Sequence, residues 1–262
     1  MTNLTTLAGP RLKLLFVVIA LLVSGLVKLP LEHQLSVQRR QGHLRGVEFN
    51  HDLREQVGQL GFIAALSGFR SLVADILFIQ AHVAWEETAW GRVLLLFRQV
   101  TALQPRSVLF WDMAAWHMAW NASVAAMNDP RQPRQALRVK AQREYFALGK
   151  DFLERGIQNN PDKPQLYESL ARLYKEKYND HERASEYFGK AADRPGSLSY
   201  NRRFAAYELS YVEGREHEAY AQLRRLYDMG ENERLPTLIS RLKFLEEKLK
   251  IPPEQRIPDE VR

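Results

Sequence analysis

The sequence predicts an all-α protein, a row of about four helical hairpins closed by a C-terminal helix and preceded by one N-terminal transmembrane helix. Three observations carry this expectation. Apolar residues return at helical spacing on both sides of a polar break in 165–195. Residues that end helices recur 34 or 35 positions apart. Residues 12–29 form an apolar run with almost no charge.

In 165–195, QLYESLARLYKEKYNDHERASEYFGKAADRP, the first apolar set is Leu166, Leu170, Leu173 and Tyr174. After Asn179-Asp180 comes the second, Ala184, Tyr187, Phe188 and Ala191. The spacing predicts two helices joined by a tight polar turn. Ala171, Ala184 and Ala191 are small where two helix backbones must approach, and Pro195 stops the second helix. The unit resembles a tetratricopeptide repeat on Tyr167, Leu170, Ala171, Tyr174, Ala184, Phe188, Ala191 and Pro195, with one residue extra in the turn. That resemblance implies a right-handed α-solenoid of tetratricopeptide-like hairpins.

Counting tests the repeat. Ala171 recurs at Ala206, 35 residues on, and Ala81 and Ala115 are 34 apart. Pro161 to Pro195 is 34 and Pro195 to Gly230 is 35. Pro105 to Pro161 and Ala115 to Ala171 are both 56, so one repeat carries about 22 extra residues, for which Asn128–Pro133 is the obvious place. The domains are therefore 1–30, a membrane anchor; 31–49, a basic linker; 50–250, the solenoid; and 251–262, a tail expected to fray. Within the solenoid the repeats run 72–106, 107–162 with the insertion, 163–196 and 197–231, and 235–249 is the cap.

Between Leu14 and Val27 no residue is charged, while Arg11, Lys13 and Lys28 flank the run. This fits an uncleaved membrane anchor. The rivals are a cleaved secretory signal, against which Val23–Val27 offers a poor cleavage site, and a core helix, which would show a polar face. A short basic-flanked tail argues for export of the C-terminal part, although Lys28, Arg39, Arg40 and Arg45 argue the other way. Residues 60–79 are also very apolar, but Arg70 and Asp75 would be costly in a bilayer, so they read as buried helices of the core.

With 45% hydrophobic and 26% charged residues the chain is composed like a folded protein, and it has no cysteine, which excludes disulfides, thiol catalysis and cysteine-based zinc sites. The net charge of +6 is interleaved with acids, as in KEKYNDHER, which argues against a nucleic-acid partner. No phosphate loop, nucleophile elbow or zinc-protease motif is present, and the seven histidines show no ligand spacing. No catalytic, metal or cofactor residues are assigned. An enzyme reading survives as an alternative around His82, Glu86, Asp112 and His117.

The resemblance implies a concave groove lined by the first helix of each repeat. Carried onto this chain, it names Phe78, His82, Trp85, Asp112, Trp116, Trp120, Arg172, Lys175, Tyr200, Arg203, Tyr207 and Tyr211, with Glu168 and Glu176 among them. Tyr, Trp and Arg concentrate binding energy at interfaces. Anchor, GFR…AD and AWHMAWN stretches together look like bacterial membrane-anchored tetratricopeptide proteins with no assigned reaction. The expectation is a non-catalytic scaffold on the bacterial inner membrane, its solenoid on the periplasmic side, touching lipid through 12–29 and holding a peptide or helix of a partner protein. A lipid- or peptidoglycan-contacting module is the further alternative.

Overall fold

The computed structural model describes residues 68–258, and the described residues are helical with no strand among them. The expected anchor at 12–29, the linker at 31–49 and the end of the tail lie outside the described residues. Among the described residues no helix is long and apolar enough to cross a membrane. The chain divides into two compact units at Phe110/Trp111.

In the first unit, α1 (Arg70–Glu86) packs on α2 (Trp90–Leu103). Their turn holds Thr88 at φ 54°, and Ala89 N–H returns to the carbonyl of Ala84 at 2.9 Å. Ala74, Val100, Leu103 and Phe110 form a core, with Leu77 and Phe78 packed against it. The reading of 60–79 as buried core needs correction where it can be seen. Of α1 before Gln80 only Ala74 is buried, whereas Leu72, Ile76 and Ile79 are exposed. Among the described residues of this unit the 17-residue α1 packs on one long helix, α2, and so buries a single stripe.

The second unit begins in α3 (Val108–Trp116), which runs on through a π-helical turn, His117–Ala122, into α4 (Ser123–Met127). Then come α5 (Gln135–Asn159), α6 (Pro164–Leu173) with a second π-helical turn at Tyr174–Tyr178, and α7 (His181–Ala192). The last helices are α8 (Tyr200–Leu209), α9 (Glu216–Asp228) and α10 (Pro236–Lys248). From α4 onward consecutive helices pack on each other. Local chemistry sets the boundaries. Pro164 and Pro236 open helices where their missing N–H costs nothing. Asn179 reverses the chain at φ 52°, and the Asp180 carboxylate accepts the N–H of Arg183 at 2.9 Å as the cap of α7.

The stretch in which 22 extra residues are expected is not one long loop. Its helices are long: the rod from Val108 to Met127 is nearly unbroken, and α5 has 25 residues. The rod and α5 approach closely because Gly149 and Gly156 lack side chains. A Cβ on Gly149 would stand 2.6 Å from the Cβ of Ala119, and one on Gly156 would stand 2.9 Å from that of Trp111. Trp111 itself is fully buried and packs on Phe152 at 6.3 Å between ring centroids.

At the C-terminal end, α10 inserts Leu238, Leu242 and Leu245 into a core with Leu223, Leu226 and Tyr227. Each fully buried leucine is worth roughly 2 kcal/mol of transfer free energy. The tail does not fray at Ile251 as expected. Ile257 is buried in that core, and its N–H donates to the buried carboxylate of Glu246 at 2.9 Å. The guanidinium of Arg224 holds the carbonyl of Gln255 at 3.0 Å.

Candidate functional site

Five of the expected groove residues, Asp112, Trp116, Trp120, Arg172 and Glu176, converge in the second unit. Asp112 and Trp116 come from α3 and Trp120 from the π-helical turn that follows. Facing them are Ser169 and Arg172 from α6 and Glu176 from the second π-helical turn. Together with Met113, Ala115 and Leu153 they line a cavity of about 410 Å³, within the roughly 300–1,000 Å³ common for binding sites.

Spacing explains the alignment. On an α-helix, residues 112, 116 and 120 would drift round the axis by about 40° at each step. The wider π turn rotates the chain less per residue, which draws Trp120 back toward the face of Asp112 and Trp116. The same happens opposite, so that Trp120 Nε1–H donates to Glu176 Oε2 at 2.9 Å, one π turn to the other. Lys177 stands over the Trp120 ring at 5.0 Å and over Phe146 at 5.8 Å, and burial pulls its pKa below the ordinary lysine value.

The Ser169 hydroxyl donates to Asp112 Oδ1 at 2.5 Å. Burial raises the Asp112 pKa above the ordinary carboxylate value; that hydrogen bond and Arg172 pull it back, while Glu168 adds to the rise. The guanidinium of Arg172 is itself engaged, bonded to Glu168 Oε1 at 2.6 Å. Tyr200 donates its hydroxyl to the other Glu168 oxygen at 2.5 Å, and its pKa is raised by burial and by that carboxylate. Trp116 is 41% exposed, a high value for the largest side chain.

The remaining groove candidates of this unit are placed differently. Tyr207 is a correction: only 7% exposed, it sits in the α8–α10 core and cannot offer its ring to a partner, and burial raises its pKa. Arg203 is spent on Glu233 at 2.8 Å. Lys175 and His181 both reach Glu208, which is 2% exposed, at 2.8 and 2.7 Å. Tyr211 is exposed but sandwiched between His181, stacked at 4.9 Å, and the Arg241 guanidinium at 3.9 Å.

In the first unit Phe78 packs on Phe97 and Phe110, while His82 stands 5.0 Å from Phe78 and 5.9 Å from Trp85. The four residues of the enzyme alternative are split between the units: His82 and Glu86 in the first, Asp112 and His117 in the second. His117 is fully buried, with Trp116 at 5.0 Å and Asn121 Nδ2 at 3.3 Å, which keeps its ring from a substrate in solution. Among the described residues no group of three or more His, Asp or Glu side chains gathers as metal ligands.

Sequence reasoning missed Ser169, the donor to Asp112. A signal was present, since Ser169 lies three residues before Arg172 and seven before Glu176, on one helical face. Comparison with known proteins returns no family model, no curated protein and no solved structure that matches the chain.

Proposed function

We propose that this protein is a non-catalytic, tetratricopeptide-like scaffold, tethered to the bacterial inner membrane by residues 12–29, which holds a peptide or helix of a partner protein. The hairpins form an α-solenoid on the periplasmic side, and the Asp112–Trp116–Trp120–Arg172 cavity is the partner's seat. One observation carries this reading: two neighbouring hairpins pool an exposed tryptophan, a desolvated carboxylate and a half-exposed arginine around one cavity. Such a mixture of aromatic and charged groups suits protein recognition.

The repeat character has its own support. Polar contacts between successive hairpins recur at nearly constant sequence separation: 32 for Tyr200 with Glu168, 30 for Arg203 with Glu233 and 32 for Lys248 with Glu216. Across the enlarged repeat the separations become 57 for Ser169 with Asp112 and 56 for Trp120 with Glu176. Stacked units of one design produce such a register.

The test is capture from detergent-solubilised membranes on the tagged full-length chain, followed by mass spectrometry. The wild type is expected to retain a partner that Trp116→Ala and Arg172→Ala both lose, with helicity by circular dichroism unchanged. Undiminished capture by both variants would sink the reading.

A further inference from the structure

Charge around the cavity is unevenly satisfied. Among the described residues Asp112 accepts one hydrogen bond, from the neutral Ser169 hydroxyl, and no cation is bonded to it. Its neighbour Arg172 is turned to Glu168. Glu176 accepts Trp120 Nε1–H on one oxygen and forms no ion pair among the described residues. Two carboxylates, Asp112 partly buried and Glu176 exposed, thus border a half-open cavity whose single cationic lining residue is already engaged. Desolvating a carboxylate with only a neutral donor is unfavourable, and an opposite charge within hydrogen-bond reach relieves it. An anionic ligand would meet two carboxylates, and an apolar one would leave both without a counter-charge.

We propose that the cavity receives an arginine side chain of the partner segment, its guanidinium paired with Asp112 and Glu176 and lying against the Trp116 ring; this rests on the binding function proposed above. The chemistry favours arginine over lysine. A planar fork of N–H donors matches a carboxylate at two points, stacks on an indole face and is more weakly hydrated than an ammonium group. A cation over tryptophan adds attraction that grows as water is excluded. Ser169 then acts as a positioning residue, because its hydroxyl on Oδ1 leaves Oδ2 of Asp112 for the incoming donor.

The experiment titrates the full chain in detergent with acetylated, amidated Ala-Ala-X-Ala-Ala peptides, in which X is arginine, citrulline or lysine. Binding is read from the indole ¹H–¹⁵N signals, assigned to Trp116 and Trp120 by single Trp→Phe variants. The arginine peptide is expected to shift both signals saturably and the citrulline peptide to leave them in place. Asp112→Asn and Glu176→Gln are each expected to weaken the arginine peptide about tenfold. An equal response to citrulline, or unchanged binding by both variants, overturns the proposal, and an equal response to lysine overturns the choice of arginine. If Trp116→Ala still abolishes capture from membranes while citrulline binds as arginine does, the scaffold function stands and the cation site alone falls.

Discussion

The face carrying Asp112, Trp116 and Trp120 and the face carrying Tyr200, Arg203, Tyr207 and Tyr211 are built from the same kinds of residue. On sequence alone both qualify as binding surface. In the folded chain the second is largely consumed: Tyr200 by Glu168, Arg203 by Glu233, Tyr207 by the core and Tyr211 by Arg241. On the first face Asp112, like Glu176 opposite it, accepts its hydrogen bond from a neutral donor, and Trp116 is exposed beside His117. A residue's type therefore tells what it can bind, while its neighbours decide whether that capacity has already been used.

Variants can break or sharpen this contrast. The largest effect belongs to Tyr207→Ala, which should cost about 3 kcal/mol as a large-to-small change in a core, read as a drop in urea midpoint. Trp116→Ala should stay within about 0.5 kcal/mol, as surface changes do. Equal losses for the two would erase the distinction between the faces. Next comes Glu208→Gln, which removes the charge that holds Lys175 and His181. A loss of about 1.5–3 kcal/mol is expected for weakening the hydrogen bonds to a charged, buried carboxylate, with midpoints at pH 7 as the check.

The helix contact beneath the cavity gives a third test. Gly149→Ala should destabilise by about 1–3 kcal/mol through overpacking against Ala119. Gly189→Ala, where a Cβ meets nothing within 4 Å, should stabilise by about 0.5–1 kcal/mol. Thermal melts of the two should move in opposite directions. The smallest effect is pH-dependent. Because burial raises the Asp112 pKa, ionising it costs the folded chain more than the unfolded one. That cost is absent below 3.8, where both states hold the proton, and is complete once the pH passes the raised value. Asp112→Asn should thus be more stable than wild type at pH 7, with the advantage gone at about pH 3.5. Paired urea titrations at the two pH values would show it, and an advantage that persisted in acid would contradict the desolvation account.

Much of the helix order was legible because apolar periodicity and Pro/Gly punctuation report directly on helix length. The break at Asn179-Asp180 and the closing helix with Leu238, Leu242 and Leu245 stand where they were expected. Counting led to an expectation of about 22 extra residues but not to their form, since residues added to two helices and residues added to a loop change the period equally. The one extra residue assigned to the turn of 165–195 is a related case. The π-helical turn at Tyr174–Tyr178 holds one residue more than an α turn would, so the surplus is absorbed inside the helix. At the site, Asp112, Trp116, Trp120 and Arg172 could be named from their positions. The burial of Tyr207 and the internal pairing of Arg203 and Lys175 could not, because they depend on α9 and α10, on Glu233 between those helices and on Glu208 of α8.

The two π-helical turns set the phase of the residues they contain. Deleting Asn121 or Ala122 would restore an ordinary α turn, in which Trp120 advances about 40° past Trp116 while the residues after the turn keep nearly their old phase. Trp120 would swing off the wall of the cavity, whereas Asp112 and Trp116 upstream would keep their places. A deletion in Tyr174–Tyr178 would remove Glu176 in the same way. The cavity thus depends on two single-residue insertions in neighbouring helices, and losing either would dismantle one wall while leaving Trp111, Leu166 and Leu170 of the core in position.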